Sequence, residues 1–158
     1  SLLLTLDVRP ISAEDTVPIR HTVLWPHIPA DSDIIRLPED DEGYHFGAFL
    51  RPEDASPVAV ISLFRESVPP GATTIESQPH SQWRFRKFAC LQMHQGKGIG
   101  TRLLADTRAY ARDQFGAAHL WCDARASAAV WYERKGFQKF GGAFFKHGVE
   151  YVRMIVAA

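Results

Sequence analysis

The second half of the chain carries the most regular pattern of apolar and polar positions. Five apolar residues fall close to one face of a helix: Ile99, Leu103, Leu104, Ala111 and Phe115. Gly116 follows directly, and glycine is typical of the residue just past a helix end. Apolar runs over 82–91 and 119–124 predict a strand on each side of this helix. A second helix is expected over 127–135, with Gly136 at its C-terminal end.

The first half predicts mostly strands, with one helix. The predicted helix spans 13–24, where Ser12 caps its start and Trp25-Pro26 ends it. Residues 27–43 are polar and rich in turn residues. Short apolar runs bounded by turn residues predict strands over 2–8, 45–50 and 58–64. Runs of the same kind predict three more strands at the end of the chain, over 137–140, 144–146 and 149–156. His147-Gly148 is typical of a hairpin turn between the last two strands. The order of elements indicates a mixed α/β fold with an antiparallel first part and at least one parallel crossover.

Length and composition narrow the class of protein. The chain has 158 residues, 46% of them apolar and 23% charged, which suits a single globular domain over 1–158. The formal net charge is zero, so no general attraction draws the protein to nucleic acid or to an anionic membrane. The two distant cysteines, Cys90 and Cys122, form neither a disulfide framework nor a zinc pattern. We expect a cytoplasmic monomer or homodimer that binds no metal, nucleic acid or membrane.

The most informative unit is a strand, a glycine-rich turn and a helix start over 88–104. Glycines at 96, 98 and 100 let the backbone approach a ligand closely and adopt a positive φ where needed. The first turn of a helix leaves N–H groups without partners, and the helix dipole adds partial positive charge there. Lys97 and the hydroxyl of Thr101 can add contacts. The turn therefore predicts a site for a pyrophosphate.

Three kinds of ligand are held by such a turn. A P-loop requires Ser or Thr directly after its lysine, whereas Gly98 follows Lys97 here. A dinucleotide-binding turn requires G-x-G-x-x-G, whereas these glycines alternate. The third pattern, [Q/R]-x-x-G-x-[G/A], is the coenzyme A turn of the GNAT superfamily of N-acyltransferases, and the segment 95–100, QGKGIG, matches it in full. Glycines that only allow a strand and a helix to pack closely are an alternative at this point.

A second motif lies downstream, after the strand predicted over 119–124. The segment 128–137, AAVWYERKGF, resembles the GNAT pattern A-x-x-[F/L]-Y-x-x-x-G-F, in which a helix carries a tyrosine and ends at a glycine. Two motifs in this order, with a strand between them, give a resemblance to the GNAT superfamily over about 82–156. The resemblance implies a mixed, α+β-like GNAT fold. Its central sheet is mostly antiparallel, with six or seven strands, a splayed parallel pair and about four flanking helices.

The resemblance also implies where acetyl-CoA binds and how it reacts. The cofactor lies between the fourth and fifth strands, and the acceptor amine attacks its thioester directly. Backbone groups at the end of the fourth strand hydrogen-bond the pantetheine arm, and the glycine-rich turn holds the pyrophosphate. The residues implied to hold acetyl-CoA are Phe88, Ala89, Cys90, Gln95, Gly96, Lys97, Gly98, Ile99, Gly100 and Thr101. Tyr132 is implied to protonate the departing sulfur as a general acid.

The base and the acceptor site are less clearly marked. A free alkyl amine has a pKa of about 10, so a base or a desolvating pocket must remove its proton. His45 is the candidate base because its pKa suits neutral pH, and Glu76, Asp123 or a chain of water molecules are alternatives. Arg20 and Trp25 lie on or after the first helix, which borders the acceptor pocket in GNAT proteins. Both are therefore candidate acceptor-binding residues.

Two cations lie within the strand predicted over 82–91. Arg84 and Arg86 share one face of it, because side chains along a strand alternate with a period of two. Buried cations without partners are costly, so we expect both to meet carboxylates or an anionic ligand.

The sequence as a whole predicts an enzyme, an acetyl-CoA-dependent N-acetyltransferase that acts on the primary amine of a small molecule. A protein or peptide N-acetyltransferase is the nearest alternative, since fold does not settle the acceptor. A coenzyme A-binding module without catalysis is another, because no base is readable from the sequence. A nucleotide-binding protein is the third, and tight ATP or NAD binding without coenzyme A binding would favour it.

Overall fold

Strands and short helices alternate along the chain in the computed structural model, which describes residues 2–70, 75 and 77–158. Over these residues seven strands form: β1 (Asp7–Ile11), β2 (Tyr44–Phe49), β3 (Ala59–Arg65), β4 (Gln82–Cys90), β5 (His119–Arg125), β6 (Gln138–Lys146) and β7 (Val149–Ala157). The same residues form four α-helices: α1 (Leu2–Thr5), α2 (Ala13–Ile19), α3 (Ile99–Phe115) and α4 (Ala129–Glu133). Shorter helical turns are a π-helical turn over Arg20–Leu24 and 3₁₀ turns over Pro38–Glu42, Pro79–Ser81, Gln92–His94 and Ala126–Ala128. Within the described ranges no helix is long and apolar enough to cross a membrane.

The strands belong to one mixed sheet. Their order across it is β1-β2-β3-β4-β5-β7-β6. β4 and β5 pair in parallel, whereas β1 with β2, β2 with β3, β5 with β7 and β6 with β7 pair antiparallel. Parallel neighbours need a crossover connection, and α3 supplies it between β4 and β5. The predicted mixed α/β fold, with its antiparallel first part and its parallel pair, is confirmed.

The chain divides into two compact units, and the first comprises residues 1–64 and 87–109. Its strands β1, β2 and β3 form an antiparallel ladder. Buried Ile19, Val60 and Ala89 form a core cluster in it. Partly buried apolar residues pack against this cluster: Ile11, Val23, Leu24 and Leu91. Apolar side chains from α2, β3 and the end of β4 thus meet in one core.

The second unit comprises residues 65–86 and 110–158. The parallel register of β4 with β5 runs to Arg84↔Trp121, and β5 pairs with β7 along its whole length. β6 and β7 form a hairpin whose turn residues, His147 and Gly148, have φ of 51° and 78°. The hairpin turn predicted at these two residues is confirmed, because both adopt the left-handed backbone that such turns require.

The N-terminal prediction is wrong in part. Leu2–Thr5 is helical, and β1 begins only at Asp7. β1 also includes Pro10 and ends at Ile11, whereas the predicted strand ended at residue 8. Proline is tolerated there because β1 lies at the edge of the sheet, where one side of a strand needs no hydrogen-bonding partner. The helix predicted from residue 13 is confirmed, and the Ser12 side chain accepts a hydrogen bond from the Asp15 N–H.

The C-terminal elements are right in type but differ in extent. The strands predicted over 137–140 and 144–146 are one strand, β6, whose register with β7 shifts between Phe140 and Phe144. The helix predicted over 127–135 is a 3₁₀ turn followed by the short helix α4. Predictions that agree with the structure to within two residues at each end are those over 45–50, 58–64, 82–91, 99–115, 119–124 and 149–156.

Candidate functional site

The predicted pyrophosphate turn connects the end of β4 to the start of α3. Gly96 and Gly98 have φ of 76° and 85°, in the left-handed region that glycine adopts without steric cost. The side chains of Lys97 and Thr101 are exposed. A hydrogen bond of 3.0 Å from the Arg102 N–H to the Gly98 carbonyl opens the helix. Helix geometry leaves the preceding N–H groups without a partner, and the helix dipole makes this end partially positive.

The space around the glycines decides between a ligand-binding turn and close packing. A Cβ at Gly96 would meet no atom within 4 Å. At Gly98 and Gly100 the nearest atoms would lie 3.4 Å away, on Leu3 and Phe88, and that is an ordinary van der Waals distance. Packing therefore does not require glycine at these positions. Positive φ at two of them, and the N–H groups that the first turn of α3 leaves without a helical partner, fit a pyrophosphate instead.

The side chain of Gln95 fastens the turn to the end of β4. Its Nε2 donates to the Cys90 carbonyl at 2.9 Å. The Leu91 N–H donates to the Val58 carbonyl at 2.9 Å, which holds the end of β4 on the other side. Gln95, the first residue of the coenzyme A motif, thus has a structural role in this chain, because its side chain fixes the point at which the turn begins.

β4 contains a residue with an unusual backbone. Lys87 has φ of 53°, in the left-handed region that residues other than glycine rarely adopt. Such a residue within a strand is typical of a β-bulge, and strained backbone of this kind clusters at functional sites. Lys87 directly precedes Phe88, Ala89 and Cys90, the part of β4 that the resemblance assigns to the pantetheine arm.

Tyr132 lies on α4 in an aromatic cluster of the second unit. Its ring centre is 4.9 Å from that of Trp131, 5.4 Å from that of Phe137 and 6.0 Å from that of Phe85. Only 7% of the residue is exposed, and its hydroxyl makes no hydrogen bond to another residue in the described part of the chain. Burial, and then the neighbouring Cys122, raise the pKa of Tyr132 well above its ordinary value. The phenol is therefore protonated at neutral pH, as a general acid must be.

Neither cysteine has the environment of a nucleophile. Cys122 is buried, and burial raises the pKa of its thiol far above its usual range. Burial also raises the pKa of Cys90, although the charge of Lys97 opposes this. A nucleophilic cysteine needs a lowered pKa, so both thiols fit a structural role. Neither offers a covalent alternative to direct attack by the amine.

Arg20 is held inside the first unit by a buried ion pair. Its Nη1 and Nη2 donate to the two carboxylate oxygens of Asp40 at 2.7 and 3.0 Å, and both side chains are 0% exposed. It also donates to the Ile35 carbonyl at 2.7 Å and to Ser62 Oγ at 2.8 Å. Burial alone would raise the pKa of Asp40, but Arg20 and then Arg36 outweigh it and lower the pKa. An acceptor can reach this guanidinium only if the network opens, so acceptor binding by Arg20 stays a prediction.

His45 belongs to the same network. Its Nε2 lies 2.9 Å from the Asp40 carbonyl and its Nδ1 lies 2.7 Å from Ser62 Oγ. Burial lowers the pKa of His45, so the ring is neutral at pH 7, although the Asp40 carbonyl and carboxylate oppose this shift. A carbonyl can only accept, so Nε2 carries the proton and Nδ1 accepts from the Ser62 hydroxyl. His45 as the base stays a prediction, and it requires the bond from Ser62 to break first.

The other candidates lie in different surroundings. Trp25 is half-buried after the π-helical turn, and Lys87 Nζ lies 5.9 Å from its ring centre. Asp123 accepts hydrogen bonds from two cations, Arg84 and Lys146. The expectation that Arg84 meets carboxylates is thereby confirmed. Glu76 lies outside the described residues.

Sequence reasoning missed several residues that shape these sites. Ser62 is a single hydroxyl within an apolar strand, and that interruption was a usable signal for a buried hydrogen-bonding group. Asp40 lies in an acidic run that resembles a solvated loop, so its burial had no such signal. The positive φ of Lys87 had none either, because most residues at that position would suit an ordinary strand.

No group of three or more His, Cys, Asp or Glu side chains within the described ranges is placed to hold a metal ion.

The chain is similar to a family model described as an acetyltransferase (GNAT) domain, which matches residues 53–158. It is 26% identical over 144 residues to the "uncharacterized N-acetyltransferase YitI" of Bacillus subtilis (strain 168), covering 91% of this chain and 90% of that protein.

Two solved structures share the fold. An acyl-CoA N-acyltransferase from Pseudomonas aeruginosa matches with a TM-score of 0.73 and 16% identity, over 97% of this chain and 100% of that one. An IAA acetyltransferase from Bacillus cereus ATCC 14579 matches with a TM-score of 0.67 and 19% identity, over 98% and 100%. With the family model covering more than half of the sequence, the chain belongs to the GNAT family of acetyltransferases, enzymes that use acyl-CoA as co-substrate.

Proposed function

We propose that this acetyltransferase moves the acetyl group of acetyl-CoA directly to the primary amine of a small molecule. One observation carries the proposal: an exposed turn over 95–98, with positive φ at Gly96 and Gly98, leads into the start of α3, whose first N–H groups have no partner within the helix. A pyrophosphate needs such a cluster of donors, and coenzyme A carries one.

Residues of the first unit hold the cofactor in this proposal. Backbone groups of Phe88, Ala89 and Cys90 bind the pantetheine arm in the manner of a neighbouring strand. The segment from Gln95 to Thr101 holds the pyrophosphate through backbone N–H groups, with Lys97 adding a positive charge. Acetyl-CoA supplies an activated thioester. The left-handed Lys87 supports this assignment, since a residue with this backbone inside a strand is typical of a β-bulge, and it directly precedes the residues concerned.

The transfer forms a bond between the amine nitrogen and the acetyl carbon and breaks the bond between that carbon and the sulfur. A backbone N–H near Cys90 polarises the thioester carbonyl. Tyr132 donates its phenolic proton to the leaving sulfur. The raised pKa of Tyr132 keeps its phenol protonated at neutral pH, which is the first requirement of this role.

The amine must also lose a proton. His45 can take it only after giving up the hydrogen bond from Ser62, whereas Asp123 is already neutralised by Arg84 and Lys146, which both bind its Oδ2. A chain of water molecules depends on neither residue. Trp25, half-buried beside Lys87, is proposed to contact the acceptor.

Two assays test the proposal. Calorimetric titration measures the affinity for acetyl-CoA, and a thiol-reactive dye measures the release of coenzyme A with a panel of small amines and lysine peptides. We expect micromolar binding of acetyl-CoA and turnover with one class of small amine. Turnover with peptides alone would favour the protein acetyltransferase, and binding without turnover would favour the non-catalytic module. Absence of acetyl-CoA binding would refute the proposal.

A further inference from the structure

The first helix, α1, lies beside the coenzyme A turn over 95–100, in the same compact unit. A Cβ at Gly98 would lie 3.4 Å from Cδ1 of Leu3 and 3.8 Å from its Cδ2. The two residues are far apart along the sequence, so tertiary structure alone brings them together. An apolar side chain of α1 therefore covers one side of the residue at which the turn passes into α3.

α1 is held in place at its C-terminal end. The Thr5 hydroxyl donates a hydrogen bond of 2.8 Å to the Leu50 carbonyl, just after β2. Leu6, the next residue along the chain, is buried. Within α1, Leu3 is 40% exposed whereas Leu4 is 85% exposed. Leu3 thus contacts the turn while Leu4 projects into solvent, and the two leucines offer a matched pair for mutagenesis.

The two glycines of the turn that have positive φ differ in their surroundings. Gly96, with φ of 76°, has no described atom within 4 Å of the position that a Cβ would take. Gly98, with φ of 85°, has the Leu3 side chain there. Glycine loses more conformational freedom on ordering than any other residue. A side chain packed on Gly98 removes part of that freedom before a ligand binds, whereas Gly96 keeps it.

The conformation of Gly98 sets the direction of the N–H groups at the start of α3. Its carbonyl accepts a hydrogen bond of 3.0 Å from the Arg102 N–H, which opens the helix. α3 begins at the next residue, Ile99, which is buried and therefore fixed in the core. Because peptide groups are planar, a change of φ at Gly98 turns the preceding N–H groups relative to this fixed helix. An ordered Gly98 thus keeps the donors for a pyrophosphate in one arrangement.

We propose that Leu3 is a positioning residue for coenzyme A, which holds Gly98 in its left-handed conformation so that the turn is ordered before the pyrophosphate binds. This inference rests on the proposed function, in which the turn holds the pyrophosphate. Leu3 acts through Gly98, because an aliphatic side chain has no group that binds a phosphate. Its contribution is a lower entropic cost of binding, since a site that is already ordered loses less freedom when the ligand arrives.

The matched pair of leucines tests this role. Leu3→Ala and Leu4→Ala remove the same atoms from neighbouring positions of α1, and calorimetric titration with coenzyme A measures the Kd of each variant. We expect Leu3→Ala to raise Kd about five- to thirtyfold, the factor that corresponds to ordering the backbone of one residue. Leu4→Ala should leave Kd unchanged. Leu3→Met should keep most of the affinity, because it restores an apolar contact of similar size.

The mobility of Gly98 separates positioning from a general structural role. The order parameter of the Gly98 N–H is measured by NMR relaxation in the ligand-free protein. We expect it to fall in Leu3→Ala and to stay unchanged in Leu4→Ala. An order parameter that is equal in the wild type and in Leu3→Ala would overturn the inference, even if Kd rises, because Leu3 would then act by another route.

A double-mutant cycle tests whether Leu3 acts through Gly98. Residues that are coupled give losses of affinity that do not add as free energies. We expect Leu3→Ala combined with Gly98→Ala to raise Kd by less than the product of the two single factors. A rise equal to that product would show that the two residues act independently.

Titration of the wild-type protein distinguishes failure of this inference from failure of the proposed function. Absence of coenzyme A binding by the wild type would overturn both. Binding by the wild type with equal Kd values for Leu3→Ala and Leu4→Ala would refute the role of Leu3 alone. An equal loss of affinity in both variants would also refute it, because α1 would then matter only through its stability.

Discussion

Gly98→Ala is the substitution that separates ligand binding by the turn from its folding. Gly98 has φ of 85°, and an added Cβ would meet Leu3 at an ordinary contact distance of 3.4 Å. The change therefore introduces backbone strain without a serious clash. Gly116 offers a matched control at the other end of α3, because it has φ of 64° and an added Cβ would meet nothing within 4 Å.

The two substitutions should cost similar stability. An alanine in the left-handed region costs about 1–2 kcal/mol, which in a protein of this size lowers Tm by about 2–8 °C. Only Gly98→Ala relieves its strain by turning the N–H groups at the start of α3 away from the pyrophosphate. Losing one hydrogen bond to a charged ligand costs about 1.5–3 kcal/mol, or about 10- to 100-fold in Kd.

Thermal unfolding and calorimetric titration with coenzyme A measure the two quantities on the same samples. We expect both variants to lose stability and Gly98→Ala alone to lose affinity. Equal Kd values for Gly98→Ala and Gly116→Ala would show that the turn does not hold the pyrophosphate. A parallel loss of affinity in both variants would point to general loosening of α3.

Three further predictions concern buried groups. Tyr132→Phe should lower kcat by about 100-fold, which is the contribution of a general acid, and should leave the Kd for coenzyme A unchanged. Stopped assays of acetyl transfer measure kcat, and calorimetric titration measures Kd. An unchanged kcat would reject the role. Asp40→Asn should lower the free energy of unfolding by about 3–5 kcal/mol in urea titrations, because it leaves the buried Arg20 charge uncompensated; a loss below about 1 kcal/mol would contradict this. The pKa of His45 is lower in the folded protein than in the unfolded chain, so the unfolded chain binds the proton more readily. The contribution of His45 to the free energy of unfolding is therefore fully present above pH 6.5, the ordinary histidine pKa, and declines as the pH falls below it. His45→Gln keeps a hydrogen-bond donor and an acceptor of similar reach but cannot titrate, so it should flatten this decline. Urea titrations at about pH 7.5 and about pH 5.5, on either side of the ordinary histidine pKa, measure the free energy of unfolding. An unchanged decline would assign the pH dependence to another group.

Much of the second half of the fold was predictable because local signals agree there. The apolar face from Ile99 to Phe115 and the glycine at 116 define α3 without help from the rest of the protein. The start of the chain had no such agreement. Three leucines in sequence suit a strand as well as a helix, and the position of Pro10 at a sheet edge depends on pairing with β2 that no local pattern encodes.

The candidate site was predictable where a motif fixes a backbone shape, and much less so where distant side chains meet. The positive φ at Gly96 and Gly98 follows from the residue type and the turn. The bond between Ser62 and His45 joins strands that are paired by tertiary structure, so the sequence showed only two polar residues in separate strands. Three cations meet Asp123 from β4, β6 and β7, and their convergence depends on the strand order.

The central claim is that this GNAT protein transfers an acetyl group from acetyl-CoA to a small amine. Mass spectrometry of reactions containing carbon-labelled acetyl-CoA and a panel of amines tests it most directly. The account predicts an amine that gains one labelled acetyl group for each coenzyme A thiol released, and it predicts that Tyr132→Phe slows both equally. Release of coenzyme A with label only in free acetate, or bound acetyl-CoA with no labelled product from any amine, would contradict it.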